Sequence, residues 1–321
     1  MIQVPSNMNG LGIETEEGLN QFMSSLLTLE DTFQFGCNGC GRCCLHRDDI
    51  ILSPEDIHRI CGYLNRTPAE FIDQYTVNHV GAYSHLPVLV LKSLPPDGRC
   101  PFLRKKKCAI HPVKPAACVA FPLARVTALT DKSPRFSLQK EVSCGYKNHT
   151  VRVKDWIGHL ATEESQQAAV IWTSFLGCYS RAVREKKWNS LTPAQRNMLL
   201  AVLFTLLYRG MDPKKPLLSE LKKVLSCAIV FLAANPELRI QLETVPLWVD
   251  IQEIGNAEVT SDLLFLKAYT AYEQEQGNVQ MPPETKDAFR ATLCHNTDWL
   301  QAHLSPADYA LWQKIKEEKL M

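Results

Sequence analysis

Residues 37–44 read Cys37-Asn-Gly-Cys40-Gly-Arg-Cys43-Cys44, four thiols in eight residues, with glycines at 36, 39 and 41. Glycine enters left-handed backbone without a Cβ clash, so this spacing lets the chain wrap tightly around an inorganic centre. Further along come Cys100-Pro101, Cys108-Ala-Ile-His111-Pro112, Cys118 and Cys144-Gly145. Eight thiols beside turn residues are two four-ligand sites' worth: Cys37, Cys40, Cys43, Cys44, Cys100, Cys108, Cys118 and Cys144.

Two kinds of metal centre take four thiolates, tetrahedral zinc and iron–sulfur clusters. The C-x2-C-x2-C segment at 37, 40 and 43 reproduces the first three ligands of the bacterial ferredoxin run, and Cys100-Pro101 supplies a Cys-Pro pair like the one that ends it. A zinc site usually adds a second closely spaced pair, whereas the later thiols here stand singly. The vicinal Cys43 and Cys44 are expected to point apart and to serve different centres. On the ferredoxin analogy, Cys37, Cys40, Cys43 and Cys100 hold one cluster of the [4Fe–4S] kind, leaving Cys44, Cys108, Cys118 and Cys144 for a second. Zinc stays open as the alternative cofactor.

The rest of the chain agrees with a soluble metal protein. It has 321 residues, with 35 Lys plus Arg against 34 Asp plus Glu, so its net charge of +1 offers no global attraction to nucleic acid or an anionic membrane. The first residues carry Glu14, Glu16 and Glu17 where a signal peptide is apolar, and the longest apolar runs, 198–208 and 224–234, are too short for the ~18 residues of a membrane span. The expected location is the cytoplasm, where dense cysteines serve metals rather than disulfides. Motifs for nucleotide binding (G-x-G-x-x-G, G-x-x-x-x-G-K-[ST]) and for hydrolysis (H-E-x-x-H, G-x-S-x-G) are missing from the sequence.

Nine of the 12 Cys, 10 of the 15 Gly and 11 of the 19 Pro fall in residues 1–150, so chemistry and irregular backbone share one half. Four helix-start signatures punctuate the chain: Ser53-Pro54-Glu55-Asp56, Thr67-Pro68-Ala69-Glu70, Thr192-Pro193-Ala194-Gln195 and Ser305-Pro306-Ala307-Asp308. In each, a hydroxyl caps the helix, Pro fits its first position and the next-but-one residue can close a capping box. Helices are predicted near 54–63, 68–76, 155–187, 192–209, 220–234, 261–276 and 306–319, and a β run at Pro87-Val-Leu-Val-Leu-Lys, followed by turns at 95–98 and 104–107. The fold expected is α+β. A small cysteine-rich metal-binding domain of short helices and a β meander, residues 1–150, precedes an all-α domain of unknown role, residues 151–321.

The constellation resembles the YkgJ-like cysteine-cluster family, a zinc- or iron-chelating domain. Its pattern is C-x2-C-G-x-C-C, a Cys-Pro-Phe-Leu segment, C-x-I-Y-x-x-R-P-x-x-C, Phe-Pro and a final Cys. These stand here as Cys37 to Cys44, Cys100-Pro101-Phe102-Leu103, Cys108 to Cys118, Phe121-Pro122 and Cys144, covering roughly residues 35–146. Two positions depart from it: His111 replaces the family's Tyr, and Lys114 replaces its Arg, which removes a planar bidentate donor. The resemblance implies a metal-binding protein whose eight thiols are ligands. Among broader relatives are flagellin lysine N-methylases, whose leading cysteines are more widely spaced.

Other residues take plainer readings. His111 is expected to be structural rather than a ligand, His46 a surface residue, and Asp48 with Asp49 a solvated turn. The basic run Arg104 to Lys107 reads first as a solvated tip, with a docking point for an acidic protein or phosphate as the alternative. Cys61, Cys178, Cys227 and Cys294 sit among apolar neighbours and read as core, as do Trp156, Trp172 and Trp188. Three functions are compatible with the sequence. The first is a cytosolic protein holding one or two iron–sulfur clusters for electron transfer or redox chemistry, with an unidentified protein partner or substrate and neither nucleic acid nor membrane. The second is a zinc-stapled interaction module, and the third a protein lysine N-methylase-like enzyme using S-adenosylmethionine. Whether the chain is an enzyme, such as an iron–sulfur oxidoreductase, is not decided by its motifs.

Overall fold

The computed structural model describes residues 15–45, 47–82, 84–127, 133–139, 144–185, 188–234, 264, 268 and 293–317. The chain divides into two compact units, Met1–Gly177 and Cys178–Met321.

In the first unit, helix α1 (Glu16–Ser24) is capped by Thr15, and strand β1 (Thr32–Gly36) follows it. Phe33 and Phe35 are buried while Thr32 and Gln34 are exposed, the alternation of a half-buried strand. Strand β2 (Ile51–Leu52), helices α2 (Pro54–Leu64) and α3 (Pro68–Tyr75), and strands β3 (Thr76–Val80) and β4 (Pro87–Leu91) come next. The three strands pair antiparallel in the order β2-β4-β3, so the apolar run of β4 is central. Both helices begin at the predicted capping boxes, Ser53 with Asp56 and Thr67 with Glu70.

A two-residue hairpin joins β5 (Leu103–Arg104) to β6 (Lys107–Cys108). Helix α4 (Ala116–Ala120) leads to a hairpin of β7 (Leu123–Thr127) and β8 (Pro134–Leu138). Strand β9 (Tyr146–Arg152) then returns to pair antiparallel with β1, with Phe33 opposite Val151 and Gly36 opposite Tyr146. Helices α5 (Val153–Trp156) and α6 (Glu163–Glu185) follow. Phe33, Phe35, Val119, Leu123, Phe136, Val153 and Ile157 make one core, sealed by β1, α4, β7, β8 and α5.

The β1–β9 ribbon is the main difference from the sequence reading. Tyr-Lys-Asn-His-Thr-Val-Arg carries too few apolar residues to announce a strand, and it becomes one because β1 supplies the partner edge. The ribbon ties residue 32 to residue 152 and so closes a loop around the entire cysteine constellation.

In the second unit, α7 (Pro193–Phe204) starts at the Thr192 capping box and runs into a π-helical turn, Thr205–Arg209, before Gly210. Helices α8 (Leu217–Ala234), α9 (Thr297–His303) and α10 (Pro306–Ile315) complete the described part, burying Leu203, Leu207, Leu225 and Trp312. The helix predicted over 261–276 lies outside the described residues except at 264 and 268, both helical and buried. The fold is α+β with a helical C-terminal region. Among the described residues no helix is long and apolar enough to cross a membrane.

Candidate metal centre

Beyond β1 the chain turns twice through left-handed glycine, at Gly39 (φ 66°) and Gly41 (φ 73°), and ends in a 3-10 turn at Arg42–Cys44. The N–H of Gly39 points at Cys37 Sγ, 3.4 Å away, and Cys40 N–H donates to Asn38 Oδ1 at 3.3 Å. The register of the ribbon sets Gly36 against Tyr146, which brings Cys37 and Cys144 to the same end of it. Gly145 is obligatory there: its φ is +84°, and a Cβ would lie 2.3 Å from Phe35 Cε2 and 2.8 Å from the Gly36 carbonyl oxygen.

A second set of backbone bonds gathers other thiols. Cys100 N–H donates to the Cys44 carbonyl at 2.8 Å, and the pairing of Leu103 with Cys108 folds Cys108 back beside Cys100. Cys118 sits in the short helix α4, whose entry is gripped from α2. Asp56, 1 % exposed, accepts the Ala116 N–H at 2.8 Å and Arg59 Nη2 at 2.7 Å, and the same Arg59 nitrogen donates to the Lys114 carbonyl at 3.3 Å. The carboxylate that closes the capping box of α2 thus also fixes the turn that presents Cys118.

These elements enclose a cavity of about 290 Å³ lined by Cys37, Cys40, Cys43, Cys118 and Cys144. Phe35, Phe121 and Trp156 form apolar walls, with His111 and Lys114 also on the lining. The Trp156 indole donates to the Phe121 carbonyl at 3.0 Å and packs edge-on against Phe33 and Phe35. Cys44, Cys100 and Cys108 stand outside this lining. Cys100 is tied to Cys44 through the backbone, and Cys144 lines the cavity with Cys37 and Cys40. One expectation is not met: Cys43 and Cys44 do not point apart, their sulfurs lying 4.0 Å from each other. The tight 3-10 turn brings them together.

The thiols titrate accordingly. A hydrogen bond from the Cys44 thiol, helped by the charges of Lys114 and Arg47 and opposed by burial, pulls Cys43 down to about 6. That shared proton, burial and the neighbouring Cys43, Cys100 and Cys118 push Cys44 up. Burial chiefly raises Cys118, to about 12, and raises Cys100, Cys108 and Cys144 as well. Binding a cation would relieve this clustered thiol burial, so the donor set fits a thiolate-ligated metal. Among the described residues no three His, Cys, Asp or Glu side chains converge as ligands do on a single ion.

The remaining sites fall as follows. His111 is exposed at the rim, and Asp48 and Asp49 are exposed, with Asp49 ion-paired to Arg47. His46 and the side chain of Cys178 lie outside the described residues. Cys61 and Cys227 are buried, whereas Cys294 is only partly so. Trp156, read from sequence as helical-domain core, instead walls the cavity. Its role, and those of Phe35, Phe121 and Asp56, depend on long-range pairing that sequence spacing does not carry.

Residues 36–145, 110 of the 321, match the family model described as "CxxCxxCC: Putative zinc- or iron-chelating domain". No curated protein and no solved structure matches the chain. The match begins one residue before Cys37 and ends one after Cys144, enclosing every thiol of the constellation, and it bears out the resemblance to the YkgJ-like family. The chain is a metal-binding cysteine-cluster protein, similar over residues 36–145 to that zinc- or iron-chelating domain.

Proposed function

We propose that the protein holds iron–sulfur clusters and serves electron transfer or redox chemistry in the reducing cytoplasm. The observation that supports this most is the cavity. Five thiols and the apolar side chains of Phe35, Phe121 and Trp156 surround about 290 Å³. Tetrahedral zinc at 2.3 Å from each sulfur would hold its four thiolates about 3.8 Å apart. A cluster places its own iron and sulfide between the ligands, and so suits a cavity of this volume ringed by thiols. Cys37, Cys40, Cys43 and Cys144 would hold one centre, with Cys44, Cys100, Cys108 and Cys118 for a second.

An iron–sulfur centre, when bound, supplies one-electron transfer. The chain's own residues would tune that chemistry: Phe35, Phe121 and Trp156 supply apolar walls, the Gly39 N–H bonds to a ligand sulfur, and Lys114 and Arg47 favour the Cys43 thiolate. The 4.0 Å separation of Cys43 and Cys44 sulfurs favours one rival, in which that pair shares a zinc ion and metal only folds the domain. Anaerobic purification separates the two. The iron–sulfur reading expects brown protein with acid-labile sulfide and a paramagnetic signal on reduction. Colourless, sulfide-free protein stoichiometric in zinc would establish the rival.

A further inference from the structure

The hairpin between Cys100 and Cys108 carries Arg104, Lys105, Lys106 and Lys107, all exposed. Among the described residues no carboxylate pairs with any of the four. Lys105 (φ 48°) and Lys106 (φ 65°) occupy the two loop positions of a hairpin in which Arg104 pairs with Lys107. Positive φ at both positions is the type I′ requirement, normally met by Asn-Gly because Cβ crowds the following carbonyl oxygen there, a cost that Gly avoids and Asn offsets by local hydrogen bonding. Two lysines at these positions strain the turn without contributing any packing. Strain kept at an exposed tip is a sign that the side chains are used.

The tip also stands against the thiol loop. A Cβ on Gly41 would lie 3.7 Å from Lys106 Cα and from its carbonyl oxygen, so the hairpin backbone touches the segment joining Cys40 to Cys43. Lys114, from a different element, adds a positive group on the cavity lining. Nucleic acid fits this surface less well than protein does. Single strands need rings for stacking, and the nearest aromatic, Phe102, is buried in contact with Phe71 and Tyr75.

We infer that the Arg104–Lys107 hairpin is the docking surface for an acidic protein partner, which it seats beside the thiol loops. The purpose of docking there rests on the proposed metal centre, whereas the binding itself does not. Charge complementarity of this kind steers association and is screened by salt.

The test uses full-length anaerobic protein, with metal content and absorption recorded on every sample. Hexaglutamate peptide is titrated against wild type, against K105N/K106G, and against K154Q/K214Q, which removes the same charge from two exposed lysines elsewhere. K105N/K106G should weaken hexaglutamate binding by about fivefold. It should also raise the melting temperature, because Asn-Gly relaxes the turn. The metal content should stay unchanged, and K154Q/K214Q should bind like wild type. Equal binding by K105N/K106G and wild type, or equal weakening in both variants, overturns the proposal. So does a thymidylate hexamer that binds more tightly than hexaglutamate. Binding that follows these expectations in protein lacking any cluster would sustain the docking surface while rejecting the centre.

Discussion

Gly145, Cys118, Cys61 and His159 test the site one side chain at a time. Gly145→Ala places a methyl group within 2.3 Å of Phe35, so it should destabilise the first unit by several kcal/mol and release metal, measured by chemical denaturation and metal analysis together. Cys118→Ser should lose metal. Cys61→Ser, in the fully buried face of α2, should keep metal and cost roughly 1–3 kcal/mol for an unsatisfied hydroxyl. His159 gives a pH signature. Burial, with the Arg59 charge beside it, lowers its pKa from 6.5 to about 4, and its Nε2 is buried without a partner. Because the unfolded chain binds that proton first, stability should fall as pH drops from 6.5 towards 4. His159→Gln should flatten the melting temperature over that window relative to wild type, and an unchanged slope would show that His159 is not the group responsible. Of these residues only Cys118 was singled out by sequence as functional, since its neighbours carry a recognisable motif. Gly145 matters through Phe35, over a hundred positions away, and no local spacing reports that contact.

At the level of elements, α2 does two jobs that can be separated. Ser53 only caps the helix, so Ser53→Ala should cost about 1 kcal/mol and leave metal content alone. Asp56 completes that cap and also holds Ala116 and Arg59. Asp56→Ala should therefore cost about 3–5 kcal/mol, as loss of a buried ion-pair partner does, and should lower metal retention through the Cys118 turn. Denaturation curves paired with metal analysis distinguish the two effects. The helix starts were legible because each capping box is complete within four residues: Ser53, Thr67 and Thr192 all cap as their sequences predict. Strand β4 was legible from its continuous apolar run. Strands β1 and β9 were not, since the signal that makes β9 a strand is the partner edge of β1, brought to it by the fold. The same ribbon brings Cys144 to the cavity that Cys37 lines, a proximity that spacing along the chain does not carry.

Across the molecule, the cysteine-bearing segment is rich in turns and built from two- to seven-residue strands, so bound metal should account for much of its stability. Chelation is expected to unfold the first unit while the helical circular dichroism arising from α7, α8 and later helices persists. Simultaneous loss of both signals would show that the chain folds as one cooperative body. What fills the cavity lined by Cys37, Cys40, Cys43, Cys118 and Cys144 decides the chemistry of the protein. X-ray absorption at the iron and zinc edges of protein purified without oxygen measures this most directly. An iron–sulfur protein gives an iron edge with sulfur neighbours and a second shell of iron–iron scattering. A zinc edge with four sulfurs at 2.3 Å and no iron would contradict it, leaving the metal as a structural staple.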